Sequence, residues 1–289
     1  MEDKVIIHAP AKINLLLRVT GKRSDGYHNL VTLFHPVYKI RDELKIDLNA
    51  PEGIALSCEH PEVPADSTNL VCKAAAAFAE KMSLTPAWHI ELVKHIPVAA
   101  GMGGGSSDAG RTLRFLAEHF SNCSENDLKI IAGTIGADVP FFLAPQDASA
   151  RGIGEIITGE GDLPMPPMLV LFPAFPVSAA WAYKQLKQYT SPEQAEEELQ
   201  LLTDALRMKN FEQAANLCAN DLEKALFDKF PLLGTLRREL LAKGALCVHV
   251  SGSGPALFAM FGSRESCAEA AAALGTKAFL EAGIKIMEC

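Results

Sequence analysis

The chain opens on strand periodicity. Across residues 5–19, Ile13, Leu15, Leu17 and Val19 alternate with Lys12, Asn14, Leu16 and Arg18. A strand there carries an apolar face and sets Lys12 and Asn14 together on the other. Asp25-Gly26 marks a turn, and 30–37 and 44–48 read as two further strands. Residues 69–82 (NLVCKAAAAFAEKM) are Ala-rich and free of Gly and Pro, which predicts a helix. Trp88, Ile90, Leu92 and Ile96 share one strand face, and Lys94 falls on that same face, an odd place for a charge. Ala109, Leu113, Leu116 and Phe120 then recur at helical spacing. Ser124 with Asp127 resembles a capping box for another helix, ended by Gly133 or Gly136.

The second half is patterned differently. A short apolar strand is predicted at 168–172, and Ser191-Pro192-Glu193-Gln194 is a strong helix start. Glu196–Glu198 fall in that helix's early turns and read as a solvated face. The tail reads strand (245–250), Gly-rich turn (251–254), strand (256–261), helix (264–274), strand (283–288). That β-β-α-β order suggests the second half of a split βαβ sandwich. The irregular, Pro-rich stretch 159–167 is the best linker and divides the chain into 1–160 and 161–289.

Composition narrows the class. With 289 residues, 48% of them hydrophobic and 21% charged, the chain reads as two ordered globular domains. Its 27 Lys and Arg against 35 Asp and Glu leave a net charge of −8, which argues against a non-specific nucleic-acid binder. Seven cysteines without a C-x-x-C do not form a disulfide framework and suit a reducing compartment. The pairs Cys58/His60 and Cys247/His249 lack a second pair at ligand spacing, so no zinc site is expected. The first residues lack signal-peptide character and no apolar run reaches membrane-spanning length, so the expectation is a soluble, cytoplasmic protein without a membrane partner.

The sharpest chemical signal is Gly101-Met102-Gly103-Gly104-Gly105-Ser106-Ser107. Glycines let backbone N–H groups approach a ligand with no Cβ in the way. The helix that follows offers unpaired N–H groups and a positive dipole end. Strand, Gly loop and helix together favour a phosphate cradle over a plain flexible turn. The loop is neither a Walker A sequence nor a G-x-G-x-x-G fingerprint. Lys94 shortly before it either meets a nucleotide or snorkels from a strand edge. Pro140 biases Val139 toward extended backbone, which stands Asp138 at a defined turn. Taken alone, Asp138 is a turn or cap residue and Lys12 a surface lysine. Ser251-Gly252-Ser253-Gly254 is either a hairpin or a second backbone approach to a ligand.

Taken together, Pro10-Ala11-Lys12-Ile13-Asn14, Pro97 through Ser107 and Val250 through Gly254 resemble the GHMP kinases, ATP-dependent kinases of small molecules. The blocks Gly21-Lys22-Arg23-Ser24-Asp25-Gly26-Tyr27-His28 and Gly136-Ala137-Asp138-Val139-Pro140-Phe141-Phe142 narrow the likeness to members acting on a cytidine-diphosphate-linked sugar alcohol. The resemblance implies an α+β fold, with an N-terminal half like the second domain of ribosomal protein S5 and a ferredoxin-like C-terminal half. It implies ATP with Mg²⁺, and a small-molecule cytidine diphosphate derivative as the phosphoryl acceptor. Lys12 and Asp138 match the family's catalytic positions. Pro97-Val98-Ala99-Ala100-Gly101-Met102-Gly103-Gly104-Gly105-Ser106-Ser107 would bind the triphosphate, with Asn69, Leu70 and Lys94 near the adenine. Asn14, Tyr27, His28 and Tyr183 match substrate positions, and no metal ligand is indicated beyond Asp108 as the nearest acidic residue. Met102 stands where Leu is usual, Ala99-Ala100 where Gly is frequent, and Ala179-Ala180 where a Thr is common. Two readings compete: a related kinase acting on mevalonate, homoserine or a sugar, and a non-catalytic module on the same fold. The 21–28 block argues against the first. The joint presence of Lys12, the Gly loop and Asp138 argues against the second.

Overall fold

The computed structural model describes residues 4–120, 123–275 and 284–289. Its elements in chain order are β1 (Val5–Lys22), β2 (His28–Asp47), β3 (Gly53–Ser57), α1 (Leu70–Lys81), β4 (Ala87–Val93), α2 (Gly104–Phe120), α3 (Glu125–Ile135), a 3₁₀ turn (Pro140–Leu143), β5 (Asp147–Arg151), β6 (Ile156–Gly161) and β7 (Met168–Phe172). There follow α4 (Ala179–Lys184), α5 (Pro192–Arg207), α6 (Phe211–Leu217), β8 (Ala219–Asn220), α7 (Glu223–Lys229), α8 (Pro231–Ala242), β9 (Ala245–Val250), β10 (Leu257–Phe261), α9 (Arg264–Leu274) and β11 (Lys285–Glu288). The chain forms two compact units: residues 1–11, 37–98 and 103–145, and residues 12–36, 99–102 and 146–289. These are not the sequential halves 1–160 and 161–289, because β1 and β2 are each divided between the units.

In the first unit, Glu43–Asp47 of β2 pair antiparallel with β4, and β3 pairs parallel with β4. Trp88, Ile90 and Leu92 deliver one face of β4 to the core, as the alternation predicts. Asn69 caps α1 by accepting from Val71 N (2.9 Å), and the Ala-rich face of α1 packs around Phe78. Fully burying Phe78 contributes roughly 2–3 kcal/mol of transfer free energy. Gly110 is required where α2 meets the 3₁₀ turn: a Cβ there would lie 2.7 Å from Phe142 Cβ and 2.9 Å from the Val139 carbonyl.

In the second unit, four strands form a sheet in the order β11-β7-β10-β9, all neighbours antiparallel. With α8 before β9 and α9 before β11, this is the strand order of a ferredoxin-like sandwich. Its core gathers Leu169, Leu171, Leu236, Leu240, Val248 and Phe261. Leu16 and Leu17 of β1 pair parallel with β8, and Thr32–Phe34 of β2 pair with β5.

Three expectations change. The stretches 30–37 and 44–47 are parts of one 20-residue strand, which exchanges β5 for β4 as its partner along its length and ends one residue before Leu48. Of the proposed linker, 159–161 belong to β6 and only 162–167 are irregular. The final strand begins at Lys285; residue 283 lies outside the described residues. Among the described residues, no helix is long and apolar enough to cross a membrane.

Candidate active site

Lys12 lies on β1 with only 4% of its surface exposed, so it is not a surface lysine. Its ammonium donates to Asn14 Oδ1 (2.6 Å) and to the Gly101 carbonyl (3.1 Å), and stands 5.2 Å from the Phe34 ring centre. Alternation along the strand puts Lys12 and Asn14 on one face. Asn14 Nδ2 donates in turn to Thr32 Oγ1 (2.9 Å), which donates to the Leu16 carbonyl (2.5 Å). A buried ammonium needs such acceptors.

The first part of the Gly-rich segment is fixed by two other stretches. Lys12 N donates to the Met102 carbonyl (3.0 Å), and Ala256 N to the Ala100 carbonyl (3.2 Å). Ser251 Oγ donates to the Gly101 carbonyl (3.1 Å) and accepts from Asn14 N (3.3 Å). The 251–254 turn therefore joins β9 to β10 and also lies against the Gly-rich segment. Gly101 has φ +78°, and a Cβ there would lie 2.3 Å from the Ser251 carbonyl. Ala99 adopts φ 54° without being glycine, a strained conformation for an L-residue.

In the other unit, the second part of the segment opens α2. Ser107 N closes the first turn onto the Gly103 carbonyl (2.8 Å), and Ser107 Oγ donates to the Pro10 carbonyl (2.6 Å). Leu70 and Lys94 border this helix start. A Cβ on Gly105 would lie 3.6 Å from Leu70 Cδ1, and one on Gly104 would lie 3.2 Å from Lys94 Nζ. Asn69 is committed to capping α1, with Nδ2 donating to the Pro64 carbonyl (2.7 Å). Pro97 and Val98 are half-buried ahead of the segment.

Lys94 does not snorkel. Its side chain is 5% exposed, and its ammonium is bound by Asp42 and by Asp108 Oδ2 (2.8 Å). Burial alone lowers the Lys94 pKa, but the Asp108 and Asp42 carboxylates outweigh it and hold the group above its usual value. Asp108 is pushed the other way, up to about 7: burial raises it, Lys94 pulls it back, and Asp42 raises it again. Asp108 Oδ1 is buried with no hydrogen-bond partner. Asp42 Oδ1 accepts from His95 N (2.5 Å) and Ile96 N (2.8 Å), so the same carboxylate fixes the chain leading to the loop.

Asp138 stands half-buried between the end of α3 and the Pro140–Leu143 turn, whose Phe141 and Phe142 are buried. In the second unit, His28 and Tyr183 stack (ring centres 5.3 Å apart, 24° between planes). Tyr189, which the sequence did not single out, lies 6.0 Å from His28. Burial, and the charge of Lys22 after it, lower the His28 pKa, which favours the neutral imidazole. Tyr27 is 61% exposed on a turn in which its N–H donates to Asp25 Oδ1 (3.0 Å).

Sequence reasoning missed Asp42, Thr32, Asn220 and Glu223, all buried polar residues. The solvated-face reading of Glu196–Glu198 holds only for Glu197. Glu196 binds Arg151 through both oxygens (2.6 and 2.7 Å), and Glu198 binds Arg18 (2.5 Å). Of the Cys247/His249 pair, His249 meets Glu223 Oε1 (3.0 Å), and Cys247 hydrogen-bonds with Cys218. Among the described residues, no group of three or more His, Cys, Asp or Glu side chains is placed to hold a metal ion.

Comparison with known proteins adds four findings. The family models for the GHMP kinases N-terminal domain and the GHMP kinases C-terminal region match residues 69–146 and 199–279. A 4-diphosphocytidyl-2-C-methyl-D-erythritol kinase of Geobacter sulfurreducens is 37% identical, over 98% of this chain and 99% of its own. One from Chlorobium phaeobacteroides strain BS1 is 40% identical over 89% of each chain. The crystal structure of a 4-(cytidine 5′-diphospho)-2C-methyl-D-erythritol kinase superposes with a TM-score of 0.79 at 32% identity, covering 98% of both chains.

Proposed function

The chain belongs to the 4-diphosphocytidyl-2-C-methyl-D-erythritol kinases within the GHMP kinases, and from that premise we infer that it transfers the γ-phosphoryl group of ATP to the 2-hydroxyl of 4-diphosphocytidyl-2-C-methyl-D-erythritol, a step of the non-mevalonate route to isoprenoid precursors. The observation that carries the reading is Lys12. A lysine this buried, with its ammonium fixed by Asn14 and by a Gly-loop carbonyl, is a charge held in place for a ligand.

In this reading the N–H groups at the start of α2 and the glycine backbone from Gly101 to Gly105 receive the triphosphate, where a side chain would block the approach. Asn69, Leu70 and Lys94 belong to the adenine end; Lys94 acts there through its ion pairs, since Asp42 and Asp108 already hold its ammonium. Asp138 accepts the proton of the acceptor hydroxyl or orients that hydroxyl, and Lys12 neutralises charge on the transferring group. Phosphoryl transfer needs little beyond positioning and electrostatics, so this set is sufficient. Mg²⁺ would accompany ATP, with phosphate oxygens and water supplying most of its shell and Asp108 as the nearest acidic residue. It would supply charge neutralisation on the phosphates. Asn14 lies beside the acceptor, and Tyr27, His28 and Tyr183 form the cytosine site. The compartment we propose is the cytoplasm.

The test is steady-state turnover of ATP with 4-diphosphocytidyl-2-C-methyl-D-erythritol, its uridine analogue, mevalonate and homoserine. Activity confined to the cytidine substrate supports the reading. Equal use of mevalonate or homoserine removes the cytosine site.

A further inference from the structure

Asn220 ends β8 and is 6% exposed. Its Nδ2 donates to the Val250 carbonyl (2.8 Å) and to the Gly252 carbonyl (2.8 Å), and its Oδ1 accepts from Leu222 N (2.9 Å). One side-chain amide thus bridges two carbonyls flanking Ser251. The same turn is held from α7 by Glu223, whose Oε1 accepts from Val250 N (2.7 Å).

What this turn touches is the lysine site. Ser251 Oγ donates to the Gly101 carbonyl, the acceptor of the Lys12 ammonium. Gly252 runs at φ +56°; a Cβ there would lie 2.9 Å from the Gly101 carbonyl, 3.3 Å from Asn14 Oδ1 and 3.5 Å from Lys12 Nζ. The turn therefore forms one wall of the lysine site, and Asn220 sets its position from behind. Only an amide suits the place. Aspartate would face two carbonyl oxygens with no hydrogen to give, and an apolar residue would leave both buried and less satisfied.

We propose that Asn220 is a positioning residue for phosphoryl transfer, orienting the 250–254 turn so that Ser251 and Gly101 hold the Lys12 ammonium in its working place. The proposal rests on the role assigned to Lys12. Displacements of about 1 Å cost up to about 10²-fold in rate, so loss of this brace acts on kcat more than on substrate affinity.

The experiment compares wild type, Asn220→Asp, Asn220→Ser (which keeps one donor) and Leu236→Ala, a destabilising core variant of the same unit that removes none of the side-chain hydrogen bonds of Asn220, Ser251 and Glu223. Four quantities are read: urea midpoint, kcat, KM for each substrate, and the rate of Lys12 acetylation by acetic anhydride, followed by peptide mass spectrometry. Asn220→Asp should lower kcat about ten- to a hundredfold with each KM within about threefold, and should raise Lys12 acetylation several-fold. Leu236→Ala should match its loss of stability and leave kcat and acetylation near wild type. Ser251→Ala combined with Asn220→Asp should cost less than the product of the single effects, because both act through one contact. The proposal is overturned if Leu236→Ala lowers kcat equally, if only KM changes, or if the double variant is multiplicative. It is also overturned if both Asn220 variants are insoluble while Leu236→Ala folds. Acetylation needs no substrate. A wild type inactive on the cytidine substrate therefore sinks the kinase assignment, while the acetylation comparison still decides whether Asn220 positions Lys12.

Discussion

The Asp42–Lys94–Asp108 cluster makes the stability of this protein depend on pH in an unusual direction. The Asp108 carboxyl has a pKa of about 7 in the folded chain against an ordinary 3.8. Between those values the folded chain keeps a proton that the unfolded chain has lost, so stability contributed by this group falls as pH rises and levels off above pH 7. Well inside that range each pH unit removes about 1.4 kcal/mol, and with the levelling near pH 7 this gives about 2 kcal/mol between pH 5 and pH 7 and about 3 kcal/mol between pH 5 and pH 8. Asp108→Asn replaces the carboxyl with a neutral amide of the same shape, and its carbonyl still accepts from Lys94. The variant's stability advantage over wild type should grow by about 3 kcal/mol between pH 5 and pH 8. Urea unfolding of both proteins at pH 5, 6, 7 and 8 provides the difference curve, in which every group common to the two cancels. Parallel curves would mean that Asp108 titrates normally. A difference of opposite sign would mean that Asp108 is held ionised by Lys94, the usual behaviour of a paired carboxylate.

Other outcomes follow from the same geometry. Asp138→Asn should lower kcat by on the order of 10²–10⁴ while ATP binding, measured by calorimetry, survives; near wild-type turnover would remove Asp138 from the mechanism. Gly101→Ala should be more damaging than Gly104→Ala in both thermal midpoint and ATP affinity. The first substitution meets backbone at 2.3 Å with a positive φ, whereas the second meets Ile96 and Lys94 side-chain atoms at 3.1 Å or more; equal losses would refute that ordering. Tyr27→Ala should weaken cytidine and uridine substrates alike, because stacking is indifferent to the base. His28→Ala should narrow the kcat/KM ratio between them. Its lowered pKa keeps the imidazole neutral near pH 7, so the wild-type ratio should be flat from pH 7 to 8.5, and a ratio that changes across that range would exclude His28.

Local pattern carried the sequence reading as far as local forces reach. The helix read at 69–82, the Ser124 cap and the helix start at Ser191 stand where the sequence put them, because each is settled by nearby residues. Lys94 was visible as a charge on an apolar face, yet its partner Asp42 was not. Asp42 lies in the 38–43 gap that split β2 in two, since a buried carboxylate breaks the very alternation used to find strands. The partners of Glu196 and Glu198 are likewise remote: Arg151 and Arg18 lie far away in sequence, and no periodicity announces them. Tyr183 emerged only through family likeness, and Tyr189 through neither route. Asn220 sits on a two-residue strand, too short for any pattern.

The interleaving of the two units bears on how the chain is made. Leu16 pairs with Ala219, about 200 residues later, an interval of roughly 10–40 s at ordinary rates of elongation. Through that interval the middle of β1 has left the ribosome without this partner. The segment 12–36, rich in apolar residues, must wait for 146–289 before its unit can close. Release of the nascent chain at residue 160 would leave those strands without the rest of their unit, so truncated products should aggregate or require a chaperone. Cutting such a gene at its apparent linker is, on this account, a poor way to obtain either half.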